Sequence, residues 1–311
     1  MQFSKIPLSP AVLCGMVSKN DRKGGMDMKV LVTGGSGFLG WRTATYLETL
    51  GWQVFTPSHR ELDIVDEMEL RAWFRHHTPD VVIHTAAVSD TGLCQQKPAW
   101  SERINVTGAV NVAQICREYG AKLILCSSDQ VYFGSTIAGL HREDEVLSPH
   151  NVYGNQKLQA EQRCLAILPQ AVCLRLSWMY AQSDLPNQHS HFLTMLKATL
   201  ADETKPLTWP IHDYRGLTDV DTVVKNLPKA LQLEGGVWNF GAENDGSTYD
   251  TVKAVLQTLG MESALARLQP NREAFAENPR NISMDLTRLQ SAGIVFPSTQ
   301  EGLCQALRAE T

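Results

Sequence analysis

Tyr153 and Lys157 stand four residues apart in a segment, residues 151–157, that is predicted to be helical. Residues with this spacing share one helical face, so the phenol and the ammonium group can approach each other. A nearby cation favours the ionised phenol and lowers the pKa of a tyrosine from its usual value of about 10. Such a phenol can exchange a proton with a carbonyl or an alcohol. The pair indicates acid–base chemistry, although ordinary surface residues can show the same spacing.

A second candidate site follows the first predicted strand, residues 29–33. The strand runs into the turn Gly34-x-x-Gly37-x-x-Gly40, and a helix is predicted over residues 38–50. Glycines permit a tight turn and close approach of the backbone to a pyrophosphate, and a helix N-terminus offers free N–H groups to that anion. The strand–turn–helix context favours dinucleotide binding over a flexible loop.

A third candidate is the pair Ser127 and Ser128, which ends an apolar strand predicted at residues 123–126. Ligands bind beyond the carboxyl ends of parallel strands. A serine at this place could hydrogen-bond the carbonyl oxygen of a substrate. The alternative is that both hydroxyls only cap the strand or begin a turn.

The elements that must position these residues alternate along the chain. Strands are predicted at residues 29–33, 53–56, 81–84, 123–126, 172–176 and 237–240, and helices at residues 38–50, 67–77, 99–119 and 151–167. This alternation predicts an α/β fold with a doubly wound parallel Rossmann sheet. After a polar loop at residues 181–191, helices are predicted at residues 191–200, 219–233 and 247–259.

The domain organisation follows from this pattern. Residues 28–180 are predicted to form an NAD(P)-binding domain to which later elements return. Residues 181–311 mainly form a smaller C-terminal substrate lobe. Residues 1–27 lack periodicity, and we expect a disordered leader or extension without function.

Composition excludes several classes of protein. The chain of 311 residues has a net charge of −5 and a pI near 6.0, with no basic stripe, which argues against nucleic-acid binding. Seven scattered cysteines without a C-x-x-C pair indicate a reducing, cytoplasmic location. The absence of an apolar run of about 18 residues predicts no membrane span. Neither His84 nor the pair His189 and His191 makes a convincing metal site, and none is predicted.

The residues after the second strand bear on the phosphate preference of the cofactor. No carboxylate ends this strand, and Arg60 could pair with a 2′-phosphate, so NADP is the first choice. Glu61 lies close enough to keep NAD open. Arg60 could also be an ordinary surface arginine.

With these motifs, the chain resembles the extended short-chain dehydrogenase/reductases, and within them the dTDP-4-dehydrorhamnose reductase family, which also includes the regulatory β subunit of methionine adenosyltransferase. The resemblance spans about residues 29–294. Its motifs are the glycine turn and residues 62–64, 79–87, 103–106, 126–132, 148–157, 174–180 and 281–285.

The resemblance implies a role for each matching position. The cofactor would contact Gly37, Phe38 and Leu39 at its pyrophosphate, Asp63 and Ile64 at its adenine, and Ala86, Ala87 and Val88 on its nicotinamide side. Ser128 would hold the substrate carbonyl, Tyr153 would donate the proton, and Lys157 would bind the nicotinamide ribose and lower the pKa of Tyr153. Asp129, Gln130 and Trp178 would contact the sugar.

Alternatives and departures remain at single positions. Asp63 could be only the N-cap of the next helix, and Trp178 could be a core aromatic. Gln130 replaces a family tyrosine that commonly faces the substrate. Residues 213–218 lack the proline of the family motif, and the loop at residues 90–96 lacks its acidic and lysine residues.

These observations predict an NADPH-dependent reductase of a nucleotide-linked 4-keto-6-deoxy sugar. The alternatives are a non-catalytic NADP-binding regulatory subunit, similar to the methionine adenosyltransferase β subunit, and an NAD-dependent sugar-nucleotide epimerase. The expected partner is the nucleotide sugar, with a second copy of the chain in a homodimer, and neither nucleic acid nor a membrane.

Overall fold

The structure is a computed structural model that describes residues 28–137, 139–182 and 191–309. The leader expected at residues 1–27 lies outside the described residues. So do His189 and most of the loop predicted at residues 181–191.

The centre of the molecule is a six-stranded parallel sheet in the order β2-β1-β3-β4-β5-β10. Its strands are β1 (Lys29–Thr33), β2 (Gln53–Phe55), β3 (Val81–His84), β4 (Lys122–Ser128), β5 (Val172–Leu176) and β10 (Gly236–Phe240). The predicted doubly wound Rossmann sheet is confirmed. β2 and β3 lie on opposite sides of β1, so the order in which strands are added to the sheet reverses at β1. A crevice opens at this point, at the carboxyl ends of β1 and β3.

Helices cover both faces of this sheet. They are α1 (Phe38–Thr49), α2 (Glu67–His77), α3 (Thr91–Gln96), α4 (Pro98–Glu102), α5 (Ala109–Tyr119), α6 (Val152–Ile167) and α8 (Val220–Ala230). Successive residues of a strand point to opposite faces. In β4, Ile124 and Cys126 therefore join the core under α1 and α8, whereas Leu123 and Leu125 join the core under α2, α5 and α6.

Two local predictions were wrong. Residues 90–96 were expected as a loop, but Asp90 caps α3 by accepting a hydrogen bond from the backbone N–H of Leu93 at 2.8 Å. The uniform helix expected at residues 99–119 contains a π-helical turn, Arg103–Gly108, between α4 and α5. Gly108 lies in that turn where a Cβ would come within 2.7 Å of Ile64, so the turn packs directly on this residue.

The C-terminal part adds a third core beside the sheet. Its elements are β6 (Trp178–Tyr180), α7 (Phe192–Ala201), β7 (Leu207–Pro210), β8 (Asp213–Tyr214), β9 (Leu217–Asp219), α9 (Thr248–Thr258), α10 (Glu262–Arg267), β11 (Leu268–Asn271), β12 (Arg280–Asn281), α11 (Thr287–Ser291) and α12 (Thr299–Arg308). Three parallel strand pairs, β6–β9, β7–β11 and β8–β12, join these segments. Among the described residues, no helix is both long enough and apolar enough to cross a membrane.

Candidate active site

The glycine turn between β1 and α1 forms one end of a cleft of about 740 Å³. Gly34 has φ +70°, and its carbonyl oxygen accepts a hydrogen bond from the N–H of Gly37 at 2.9 Å. A Cβ on Gly40 would lie 2.2 Å from that same oxygen. Only glycine therefore fits at residue 40, and the start of α1 can lie directly on the turn.

The N-terminus of α1 opens into the cleft. Gly37, Phe38, Leu39 and Gly40 all line it, and Gly37 provides no side-chain cap for the helix. The first N–H groups of a helix have no partner within the helix, and they carry the positive end of its dipole. This end of the cleft therefore fits a pyrophosphate.

The segment after β3 forms the adjacent wall. Ala86 packs so closely on the turn that a Cβ at Gly34 would lie 2.8 Å from its backbone, and Ala87 lines the cleft. Both backbone groups of Val88 bond the buried side chain of Asn105, at 2.7 Å through N–H and 3.0 Å through C=O. Asn105 lies in the π-helical turn, and sequence reasoning missed its role because that turn interrupts a regular helical pattern.

The residues predicted to lie near the adenine are not among those that line the cleft. Arg60 and Asp63 are exposed in the loop after β2. Ile64 is buried, and its carbonyl oxygen accepts a hydrogen bond from Asn111 at 3.1 Å. The alternative that Asp63 caps the next helix is wrong, because Asp66 caps α2, accepting hydrogen bonds from two backbone N–H groups. Asp63 instead accepts one from the N–H of Val65.

The structure brings Ser128, Tyr153 and Lys157 together at the middle of the cleft. Ser128 ends β4, whereas Tyr153 and Lys157 lie in the first turns of α6, which Asn151 caps. A Cβ at Gly154 would lie 2.4 Å from the carbonyl oxygen of Gln130, so the start of α6 packs directly on the turn that follows Ser128.

The electrostatics differ from the prediction that Lys157 lowers the pKa of Tyr153. Burial raises the pKa of Tyr153, and a hydrogen bond with Ser128 opposes that shift only in part. Burial also lowers the pKa of Lys157. The ammonium group donates to the carbonyl oxygen of Cys126 at 2.5 Å instead. Burial therefore favours the protonated form of Tyr153.

Beside this trio, a buried network joins β4, α6 and β5. Glu161, one turn beyond Lys157, hydrogen-bonds Ser127 and accepts from Arg175 at 2.8 and 3.1 Å. Glu161 and Arg175 are 1% and 3% exposed. The sequence contained no signal for this pair, since the partners lie on different elements.

His84 ends β3 as a neutral side chain. Burial lowers its pKa to about 3, and its Nδ1 lies 2.8 Å from the hydroxyl oxygen of Thr33. Within residues 28–137, 139–182 and 191–309, no group of three His, Cys, Asp or Glu side chains is placed to hold a metal ion.

The far end of the cleft contains the residues predicted to contact a sugar. Asp129, Gln130 and Trp178 line it, and Trp178 is half-buried. Gln130 also accepts a hydrogen bond from Asn151 at 3.0 Å, which links it to the cap of α6. Arg215 lines the same end and was missed, because its partners in the site lie far away along the sequence.

Together, this fold and this site define an extended short-chain dehydrogenase/reductase, an NAD(P)-dependent oxidoreductase. The family model of the RmlD substrate binding domain matches residues 28–311. The chain belongs to this family, that of the dTDP-4-dehydrorhamnose reductases, as its sequence motifs indicated.

Individual relatives agree with this assignment. The chain is 28% identical to the spore coat polysaccharide biosynthesis protein SpsK of Bacillus subtilis, over 90% of this chain and 97% of that one. It is 29% identical to the dTDP-4-dehydrorhamnose reductase of Streptomyces griseus, over 85% of this chain and 88% of that one. It is 23% identical to the methionine adenosyltransferase 2 subunit beta of Bos taurus, over 86% of this chain and 83% of that one.

A solved structure shows the same fold. The dTDP-4-dehydrorhamnose reductase of Bacillus anthracis, in complex with NADP, superposes with a TM-score of 0.79 at 22% identity, covering 93% of this chain and 100% of that one.

Proposed function

We propose that this protein is an NADPH-dependent reductase of a nucleotide-linked 4-keto-6-deoxy sugar. The observation that carries the proposal is the single cleft that joins the glycine turn at one end to Ser128, Tyr153 and Lys157 at its middle. Substrate and cofactor bound there would meet beside a protonated phenol, and such positioning accounts for much of enzymatic rate enhancement.

The residues of the turn fit the cofactor. Gly37, Phe38, Leu39 and Gly40 would hold its pyrophosphate, with Gly34 forming the turn. Asp63 and Ile64 would flank the adenine, and Ala86, Ala87 and Val88 would line the nicotinamide side. Arg60 would pair with the 2′-phosphate of NADP, although Glu61 leaves NAD as an alternative. When bound, NADPH supplies the hydride that reduces the carbonyl carbon.

The protein would supply the proton and the orientation. Ser128 would donate a hydrogen bond to the carbonyl oxygen, and Tyr153 would transfer its hydroxyl proton to that oxygen, leaving a phenolate that regains a proton from solvent. Lys157 would bind the nicotinamide ribose and stabilise the phenolate. Trp178 would pack on the sugar ring, as apolar ring faces pack on aromatic side chains.

Free thiols agree with the expected reducing compartment. Six cysteines in the described part of the chain are buried and free: Cys94, Cys116, Cys126, Cys164, Cys173 and Cys304. We propose a cytoplasmic enzyme, and a homodimer as its assembly, since that assembly is common among the extended short-chain dehydrogenase/reductases.

The second candidate is a regulatory subunit that binds NADP without turnover. The similarity to the methionine adenosyltransferase β subunit supports it. The buried trio argues for chemistry, because retaining an ionisable lysine in a buried site is costly without a use for it.

The test is NADPH oxidation with a dTDP-4-keto-6-deoxy sugar by the wild type and by Tyr153→Phe. We expect oxidation by the wild type and a loss of at least about 10²-fold in the variant, with NADPH affinity nearly unchanged. Tight NADPH binding without reduction of the sugar would favour the regulatory subunit. Sugar interconversion without net NADPH consumption would favour the epimerase.

A further inference from the structure

Arg215 holds an unusual place at the substrate end of the cleft. It lies between β8 and β9, and its guanidinium stacks 4.6 Å over the ring of Trp178. Its backbone is fixed, because its carbonyl oxygen accepts from Asn244 at 2.9 Å and because a Cβ on Gly216 would lie 2.2 Å from Ala242. The residue is only 6% exposed. Its position is therefore determined by the fold.

The hydrogen bonds of Arg215 are incomplete. Its Nη2 reaches Asp129 Oδ2 at 3.4 Å, and its buried Nε has no hydrogen-bond partner among the described residues. By contrast, Arg280, which lines the same cleft, pairs with Asp213 through two bonds of 2.7 and 2.9 Å. A buried donor without a partner costs free energy, so a ligand oxygen that completes it would bind favourably.

Asp129 has a matching requirement. Its Oδ1 accepts the hydroxyl hydrogen of Ser128 at 3.1 Å. When Ser128 turns its hydrogen towards a substrate carbonyl, this carboxylate oxygen loses its donor. The hydroxyl oxygen of Ser128 and Oδ1 of Asp129 are 3.1 Å apart, so a hydroxyl on the carbon next to the carbonyl carbon is close enough to replace that donor.

We propose that Arg215 is a specificity-determining residue, which holds Asp129 as the acceptor for a substrate hydroxyl on the carbon adjacent to the reacting carbonyl. In a 4-keto-6-deoxy sugar the only neighbouring carbon that bears a hydroxyl is C3, since C5 bears the methyl group. The hydroxyl donates to Asp129 and accepts from Arg215. This inference rests on the proposed function, because it takes the reacting group to be a ketone at C4.

The charges at this end of the cleft favour a hydroxyl over an anion. Asp129 and Asp213 balance Arg215 and Arg280, so the group carries no net positive charge for an additional anion. A neighbouring cationic donor and anionic acceptor match a neutral hydroxyl, which both donates and accepts. Trp178, under the guanidinium, supplies an apolar face for the ring.

The experiment measures binding without turnover. The protein saturated with NADP⁺ is titrated calorimetrically with dTDP-4-keto-6-deoxyglucose and with its 3-deoxy analogue, dTDP-4-keto-3,6-dideoxyglucose. Hydrogen bonds to charged groups predict that the wild type binds the hydroxylated ligand about 10- to 100-fold more tightly. In Arg215→Met, this ratio falls to about threefold or less, because a buried carboxylate without its cation takes up a proton. Arg215→Lys keeps part of the ratio.

Arg280→Met is the matched control, since it removes a cation from the same cleft without breaking the contact to Asp129. It should weaken both ligands alike and keep their ratio. Equal affinity of the wild type for the two ligands, or binding of neither, overturns the inference, as does an Arg215→Met variant that keeps the full ratio. If the wild type prefers the hydroxylated ligand but does not reduce it with NADPH, the proposed reductase is contradicted, while Asp129 and Arg215 still bind the C3 hydroxyl. If the wild type reduces the sugar but binds both ligands equally, the reductase stands and this inference is contradicted.

Discussion

At the scale of single residues, the protonation state of Tyr153 is the property on which the chemistry depends. Its pKa is raised by burial, while Lys157 donates to the carbonyl oxygen of Cys126. A general acid must carry its proton before the reaction, and this environment ensures that it does. The spacing of the two residues suggested the opposite shift, because spacing shows that two groups can approach but not how deeply they are buried.

The pKa of Tyr153 can be tested in the ligand-free protein. A raised pKa means that the neutral phenol persists to higher pH than in a free tyrosine. The ultraviolet difference spectrum of wild type minus Tyr153→Phe should therefore show no phenolate up to about pH 10. A phenolate signal near pH 7 that disappears in the variant would show that the cation dominates over burial.

Residue types and local spacing predicted much of this site. The glycine positions, Ser128, Tyr153 and Lys157 all belong to short motifs whose chemistry depends on neighbours along the chain. Arg215 could not be predicted in the same way. Its partners, Asp129 and Trp178, are 86 and 37 positions away, as the residue numbers show, and meet it only through the folded strand pairs.

At the scale of elements, α6 carries two of the three proposed catalytic groups, so its position relative to β4 must be fixed. The buried pair of Glu161 and Arg175 joins α6 to β5, and Glu161 also bonds Ser127 beside the proposed catalytic serine. Arg175 further donates to the hydroxyl of Tyr132 at 2.8 Å. A buried pair is costly to break on one side, because the remaining charge stays in the core.

Glu161→Gln should therefore destabilise the protein by about 3–5 kcal/mol. Glu67→Gln is the matched control: Glu67 pairs with Arg71 on the exposed face of α2, and exposed pairs contribute about 0–1 kcal/mol. Urea denaturation of the two variants measures the difference. Equal effects would show that the buried network contributes no more than a surface pair.

Element boundaries show where sequence periodicity stops being informative. The ranges of β1, β3, β5 and α2 agreed with the prediction to the residue, because each is a short segment with a clear apolar or capped pattern. The π-helical turn Arg103–Gly108 did not appear in the pattern, since one extra residue in a turn changes periodicity too little to detect. The small strands of the C-terminal part were not predicted, because segments of two to four residues are too short to show alternation.

At the scale of the whole molecule, the cleft gathers segments that are far apart in the sequence, from the glycine turn to Arg280. A ligand that fills it binds only the folded protein and must therefore stabilise the whole fold. At a concentration of 100 times its Kd, such a ligand adds about 2.7 kcal/mol to the free energy of unfolding.

NADPH should raise Tm by about 5 °C under that condition, and NADH at the same concentration by less. Arg60→Gln should weaken NADPH binding about tenfold and leave NADH binding nearly unchanged, because only the 2′-phosphate is lost as a partner. Arg75→Gln, a change of another exposed arginine, is the control. An unaltered NADPH preference in Arg60→Gln would exclude the proposed phosphate contact, as measured by thermal unfolding with each cofactor.

The most direct test of the proposed reductase follows an atom from cofactor to sugar. The protein is mixed with NADPH deuterated at the transferring position of the nicotinamide C4 and with a dTDP-4-keto-6-deoxy sugar, and the sugar product is analysed by mass spectrometry. A reductase predicts one deuterium at C4 of a sugar alcohol, formed in equal amount to the NADPH consumed. An unlabelled sugar with all NADPH intact would contradict the account.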